Sequence, residues 1–183
     1  MTLASDRLRT RFEELVELNG DALLRYFLRR TDSKEDAADL LNETLLTVWK
    51  RVRAIPAPDD GARMWMFGVA RNVLSNHRRG QVRHRLLSEK LAQDLLTTPT
   101  PPATEDAVAV RDAIERLPAE LADLVQLVHW DGFSIAETAV LANIPAATAW
   151  ARYARARLLL RTHLAGPEGP ETDIAVSASL PSL

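Results

Sequence analysis

Ser134-Ile135-Ala136-Glu137, followed by Asn143-Ile144-Pro145 and then by Trp150-Ala151-Arg152-Tyr153-Ala154-Arg155-Ala156-Arg157, decides how this chain is read. A serine three residues ahead of a glutamate makes a capping box, in which hydroxyl and carboxylate each satisfy a backbone N–H at a helix start. Apolar Ile135, Ala139 and Val140 continue at helical spacing. Asn143 suits a left-handed turn, and Pro145 opens a helix well because its missing N–H would have no partner there. The pattern predicts a helix-turn-helix over 134–162. Its second helix carries Arg152, Arg155, Arg157 and Arg161, and no acidic residue lies between Glu137 and Glu168. An unopposed cationic helix points to a nucleic-acid backbone.

Around this motif the 183 residues are 46% hydrophobic, poor in aromatics and glycine, and without runs of alternating β-branched residues, so an all-α fold is expected. There is no cysteine, which excludes disulfides and thiolate metal sites, and His77, His84, His129 and His163 lack metal-ligand spacing. Neither a signal-peptide pattern nor a long apolar run is present, which leads to the expectation of a cytoplasmic protein with no membrane insertion. No catalytic constellation stands out, and no metal or cofactor is expected.

The net charge of −2 conceals alternating blocks: +6 over residues 61–90, −7 over 91–137 and +4 over 138–167. Two separated basic blocks suit two contacts on one polyanion, although solvated faces on unrelated helices produce the same pattern. Between the blocks, Pro99, Pro101 and Pro102 forbid helix and favour an extended spacer. The expected organisation is two small helical domains, 1–91 and 107–165, joined by a Pro-rich linker at 92–106 and followed by a mobile tail at 166–183.

In the first domain a helix over 36–53 is expected to bury Ala38, Leu41, Leu45, Val48, Trp49 and Val52. Its opposite face holds Asp39, Asn42, Glu43 and Lys50 around Leu46. That is either an incidental exposed leucine or an apolar anchor with a polar rim, as a docking surface has. A second helix, about 63–79, turns Met66, Phe67, Val69, Ala70, Val73 and Leu74 inward. Met64, Trp65, Arg71, Asn72, Ser75, Asn76 and Arg79 point outward, behind a proline-stiffened loop at 55–61. A tryptophan among arginines and amides fits stacking on unpaired bases; packing of the ring is the alternative.

Three segments, in this order, resemble bacterial sigma-70-type factors, and their spacing matches the small two-domain extracytoplasmic-function subgroup. Ala37–Trp49 looks like the polymerase-clamp segment, and Met64–Asn72 with the arginines after it resembles the promoter-melting helix. Leu117–Glu120, Asp131–Glu137, Asn143–Thr148 and Arg152 look like the carboxy-terminal DNA-binding domain. The resemblance implies core RNA polymerase binding by Asp39, Asn42, Glu43, Leu46 and Trp49, although the helical phase above turns Trp49 inward. It implies minus-ten recognition and melting by Trp65, Arg71, Asn72, Asn76 and Arg79 with the 56–63 loop. Thr148, Arg152 and Arg155 then fall in the recognition helix for the minus-thirty-five element.

The implied partners are core RNA polymerase, promoter DNA in duplex and single-stranded form, and an anti-sigma factor. The implied role is that of a non-enzymatic specificity subunit whose two weak basic surfaces, tethered when free, engage one promoter once polymerase fixes the tether. Asn42 stands where the family usually has glutamine, Leu45 where it has phenylalanine, and Ala147 where it has glycine. Trp150 replaces a basic residue and either packs internally or touches a thymine methyl. A helix-turn-helix regulator binding DNA as a dimer without polymerase is the alternative reading; a helical adaptor is another.

Overall fold

The computed structural model describes residues 2–57, 59–88 and 105–164, all of whose regular structure is helical. The expected linker, apart from its last two residues, and the expected tail lie outside the described residues. Helix α1 (Thr2–Leu28), α2 (Lys34–Lys50) and α3 (Asp59–Ser88) form the first group; a 3-10 turn, Val52–Ala54, separates the last two. The second group contains α4 (Glu105–Glu115), α5 (Ala119–His129), α6 (Ile135–Ala142) and α7 (Ala146–Leu164).

Local chemistry explains the ends of these helices. Ser33 caps α2 by accepting from the Asp36 N–H at 2.9 Å. Ser134 and Glu137 form the expected box, with the Ser134 N–H donating to Glu137 Oε2 at 2.8 Å and the Glu137 N–H to Ser134 Oγ at 3.2 Å. Asn143 takes the left-handed conformation, φ 53°, which turns the chain from α6 to α7. Helix α3 starts at Asp59, earlier than expected, so residues 59–63 are helical and the loop ahead of it is short. Its first turn packs so closely on Pro56 that a Cβ at Gly61 would stand 3.1 Å from the Pro56 Cβ.

In α3 the inward residues are those expected, Met66, Phe67, Val69, Ala70, Val73 and Leu74, with Ala62 added. In α2 the buried line is instead Ala37, Leu40, Thr44 and Val48, rotated away from the predicted stripe; Ala38 and Trp49 are exposed. The rotation is possible because the Thr44 hydroxyl donates to the Leu40 carbonyl at 2.7 Å, so a polar residue enters the core with its hydrogen bond made. Trp49, expected inward, lies at the rim and meets Phe12 edge-on at 5.2 Å. In α6, likewise, Thr138 is buried and Val140 is not.

The second group closes around α7, whose Ala149 and Ala156 are fully buried and let α5 and α6 approach its backbone. The two groups are not independent bodies on a tether, as the sequence suggested. Leu127 and Phe133 of the second group enter the core of the first, where Phe133 meets Phe67 edge-on at 4.9 Å.

The capping box gives a direct test. Ser134→Ala should destabilise the protein by about 1 kcal/mol in urea unfolding. Hydrogen bonds from the Ser134 backbone and side chain hold the Glu137 carboxyl below its usual value of 4.5. The box is therefore intact above that value and should be lost as pH falls below it, whereas Glu137→Gln should remove this component of the acid sensitivity.

Candidate polymerase and nucleic-acid surfaces

Three outward surfaces carry the residues singled out in the sequence. On α2, Asp39, Asn42, Glu43, Leu46 and Trp49 are all exposed and contiguous on the side away from the buried line. Leu46 is 52% exposed, an apolar side chain surrounded by carboxylates and an amide. The observed phase thus unites Trp49 with the other four, which the predicted phase had separated.

On α3, Trp65, Asn72, Asn76 and Arg79 recur at helical spacing along one line. Asn72, Asn76 and Arg79 are exposed; Trp65 is half-buried against the core. Arg79 donates to Asn76 Oδ1 at 2.6 Å, which orients both groups. Arg71 departs from this line and turns to the second helix group. Its guanidinium meets Asp123 Oδ2 at 2.9 Å and donates to the Leu141 carbonyl at 3.2 Å. A cavity of about 940 Å³ lies there, between Tyr26, the Arg71–Arg79 face of α3, and Asp123.

The contact between the groups is a cluster of four arginines and two aspartates that sequence reading did not anticipate. Asp131, 1% exposed in its side chain, accepts from Arg29 through Oδ1 and from Arg30 through Oδ2, the latter at 2.9 Å. Arg30 also reaches Asp123 Oδ1 at 3.3 Å and lies over the Tyr26 ring at 3.9 Å. Arg63 donates to the Asp131 backbone carbonyl and stacks over Phe133 at 4.3 Å. Burial lowers the pKa of Arg29 from its usual value, and the Asp131 carboxylate opposes that shift. Burial also pushes the Tyr26 phenol up to about 12, against the neighbouring Arg30 cation. The two enclosed aspartates each face two arginines, and Arg30 faces both of them, so these buried charges are paired. The sole available signal in the sequence was the acidic block, which does not reveal which carboxylates face inward.

On α7, Thr148, Arg152 and Arg155 share one outward face. Arg155 is exposed, whereas Arg152 is held by Glu120 of α5 at 2.6 Å. Trp150 is 58% exposed and does not pack into the domain interior. Among the described residues there is no group of carboxylates, histidines or cysteines able to hold a metal ion, and no helix long and apolar enough to cross a membrane.

Residues 15–84 match the model of sigma-70 region 2, and residues 107–160 match that of sigma-70 region 4. The ECF RNA polymerase sigma factor SigL of Mycobacterium tuberculosis is 30% identical over 153 residues, covering 82% of this chain and 86% of the relative. This chain belongs to the ECF sigma factors. The RNA polymerase sigma-E factor of Streptomyces coelicolor is 32% identical over 156 residues, 84% of this chain and 85% of its own. In fold it is similar to the sigma factor RpoE of Bartonella quintana, solved with the anti-sigma factor NepR, with a TM-score of 0.70 at 22% identity over 86% of this chain and 98% of that one. It is also similar to CnrH, solved with the cytosolic domain of CnrY, with a TM-score of 0.62 at 19% identity over 86% and 89%. As an ECF sigma factor it is a transcription-initiation factor that directs core RNA polymerase to promoters. The dimeric regulator considered from the sequence gives way to this membership.

The environments of the four tryptophans make the surface geometry measurable. In variants that each retain one tryptophan, iodide should quench Trp150 much more strongly than Trp65, with Trp49 and Trp130 between them.

Proposed function

We propose that this ECF sigma factor divides its work among the three surfaces as follows. Residues 1–91 form the domain that grips polymerase and opens the minus-ten element, residues 107–165 the domain for the minus-thirty-five element, with 92–106 the connection and 166–183 a tail. The observation that carries this reading is the α2 face. Asp39, Asn42, Glu43, Leu46 and Trp49 stand exposed together, an apolar pair within an acidic and amide rim. Such a face suits a basic partner surface that desolvates the leucine and pairs the carboxylates. The clamp of core polymerase is the partner assigned to it.

On α3, Trp65, Asn72, Asn76 and Arg79 combine a ring edge, two amides and a cation along one line, which suits an unstacked strand. A surface that binds extruded bases better than paired ones shifts the duplex toward the open form by that difference in affinity. Arg71 joins this surface in the DNA-bound state. On α7, Thr148, Arg152 and Arg155 face a major groove, Arg152 after leaving Glu120. The protein works beside polymerase in the cytoplasm. An anti-sigma factor is proposed as its regulator, since RpoE was solved with the anti-sigma factor NepR.

Leu46→Arg should abolish co-elution with core polymerase on gel filtration while leaving the circular dichroism spectrum unchanged; retained co-elution would refute the docking face. Arg152→Ala should cost about 1–3 kcal/mol of discrimination at the upstream element in competition binding, as expected for a base-reading arginine. A uniform loss over all sequences would instead make it a phosphate contact.

A further inference from the structure

The outermost line of α7 carries no charge. Ala147, Trp150, Ala151, Ala154 and Leu158 recur three and four positions apart, so they share one face, and all of them are exposed. The buried Ala149 and Ala156 lie on the opposite side of the helix. Trp150 is 58% exposed and Leu158 64%. Cations border this line without interrupting it. Arg155 runs along one flank with Thr148 and Arg152, Arg157 stands on the other, and Arg161 follows Leu158 at the far end. Two of these are drawn away from the centre, Arg152 to Glu120 at 2.6 Å and Arg157 over the Tyr153 ring at 5.9 Å. An apolar centre between cationic flanks suits a helix lying in a groove whose walls are phosphates and whose floor is base edges.

We infer that Trp150 is a base-reading residue and that the apolar line of α7 selects thymine in the upstream promoter element. The inference rests on the reading of α7 as the helix that enters the major groove of that element. Residues near the start of such a helix reach base edges, and Trp150 lies in the second turn of α7, which begins at Ala146. Along the line the side chains hold one hydrogen-bonding group, the indole N–H, which donates and cannot accept. Adenine and cytosine present amino donors to the groove and find no acceptor here, so covering them leaves a polar group unpaired. Guanine offers acceptors but no apolar group. Thymine alone sets an acceptor beside a methyl, the complement of an indole edge. The alanines add only methyl groups, so α7 can approach the base pairs closely and cover further thymine methyls.

The test uses holoenzyme assembled from the full chain and core polymerase, with a duplex promoter library randomised over the upstream element. Enriched duplexes are resynthesised with uracil in place of single thymines, which removes the C5 methyl and keeps every hydrogen-bonding group. The enriched sequences should contain thymine. Uracil at the position read by Trp150 should weaken binding about fourfold, the effect of withdrawing about one CH2-sized group from apolar burial. Trp150→Ala, its fold verified by circular dichroism, should bind thymine and uracil duplexes equally there. Trp150→Gln supplies an acceptor as well as a donor and should move the preferred base at that position from thymine to adenine.

An enriched element without thymine, a thymine-to-uracil ratio that Trp150→Ala leaves unchanged, or a base preference that Trp150→Gln does not move overturns the inference. The reading of α7 survives each of these if Arg155→Ala still weakens the enrichment. Failure of holoenzyme to enrich any upstream sequence is the separate failure of that reading. A changed elution volume of the free protein, or lost co-elution with core polymerase, on Trp150→Ala with the ratio unchanged makes the face a protein contact and likewise overturns the inference.

Discussion

The Asp131 carboxylate, enclosed between the guanidinium groups of Arg29 and Arg30, is the constraint from which the arrangement of the molecule follows. It sits in the short α5–α6 connection beside Gly132, whose φ of 72° lets the chain reverse there and bring Phe133 under the same surface. Charge and ring therefore arrive together. Phe133 supplies apolar contact with Phe67, and Asp131 supplies the directional bonds that set how the groups meet. An enclosed ion pair contributes little net stability after desolvation, so the apolar contact is the better source of affinity and the ion pair of register.

This arrangement links the surfaces. Arg71 lies eight residues after Arg63 and four after Phe67, so one stripe of α3 faces the second helix group. The neighbouring line, with Trp65, Asn72 and Asn76, is separate from it. The line proposed for strand binding and the junction with the second group thus occupy two adjacent stripes of one long helix, with Arg71 at the boundary. On the other side, α5 carries Asp123 toward α3 and Glu120 toward Arg152 of α7. A single short helix touches a cation of each proposed DNA surface.

Helix content, the capping box, the left-handed Asn143 and the inward face of α3 were legible in the sequence because each depends on near neighbours and strong local chemistry. The phase of α2 was not. Counting apolar residues favoured Ala38 and Trp49, whereas the fold buries Thr44, whose hydroxyl is satisfied within its own helix and so escapes the usual penalty for a polar residue. Thr138 and Val140 exchange roles in α6 as well, there without a hydrogen bond to the buried Thr138 hydroxyl. The family resemblance nevertheless grouped Trp49 with the other exposed residues of α2, where periodicity excluded it. The junction was illegible for another reason. Arg30 and Asp131 are 101 positions apart, and nothing local distinguishes Asp131 from the other acids of its block.

The shared interior has a cost for solubility. Leu127, Phe133 and Phe67 are sealed only while the helix groups stay together. Any separated form brings two aromatic rings and a leucine to water in one patch, next to arginines that have lost their counter-ions. Such a species is prone to self-association and is tolerable in a crowded cell only if short-lived or quickly covered. The apolar lining of the junction therefore favours the joined arrangement wherever no other surface covers it.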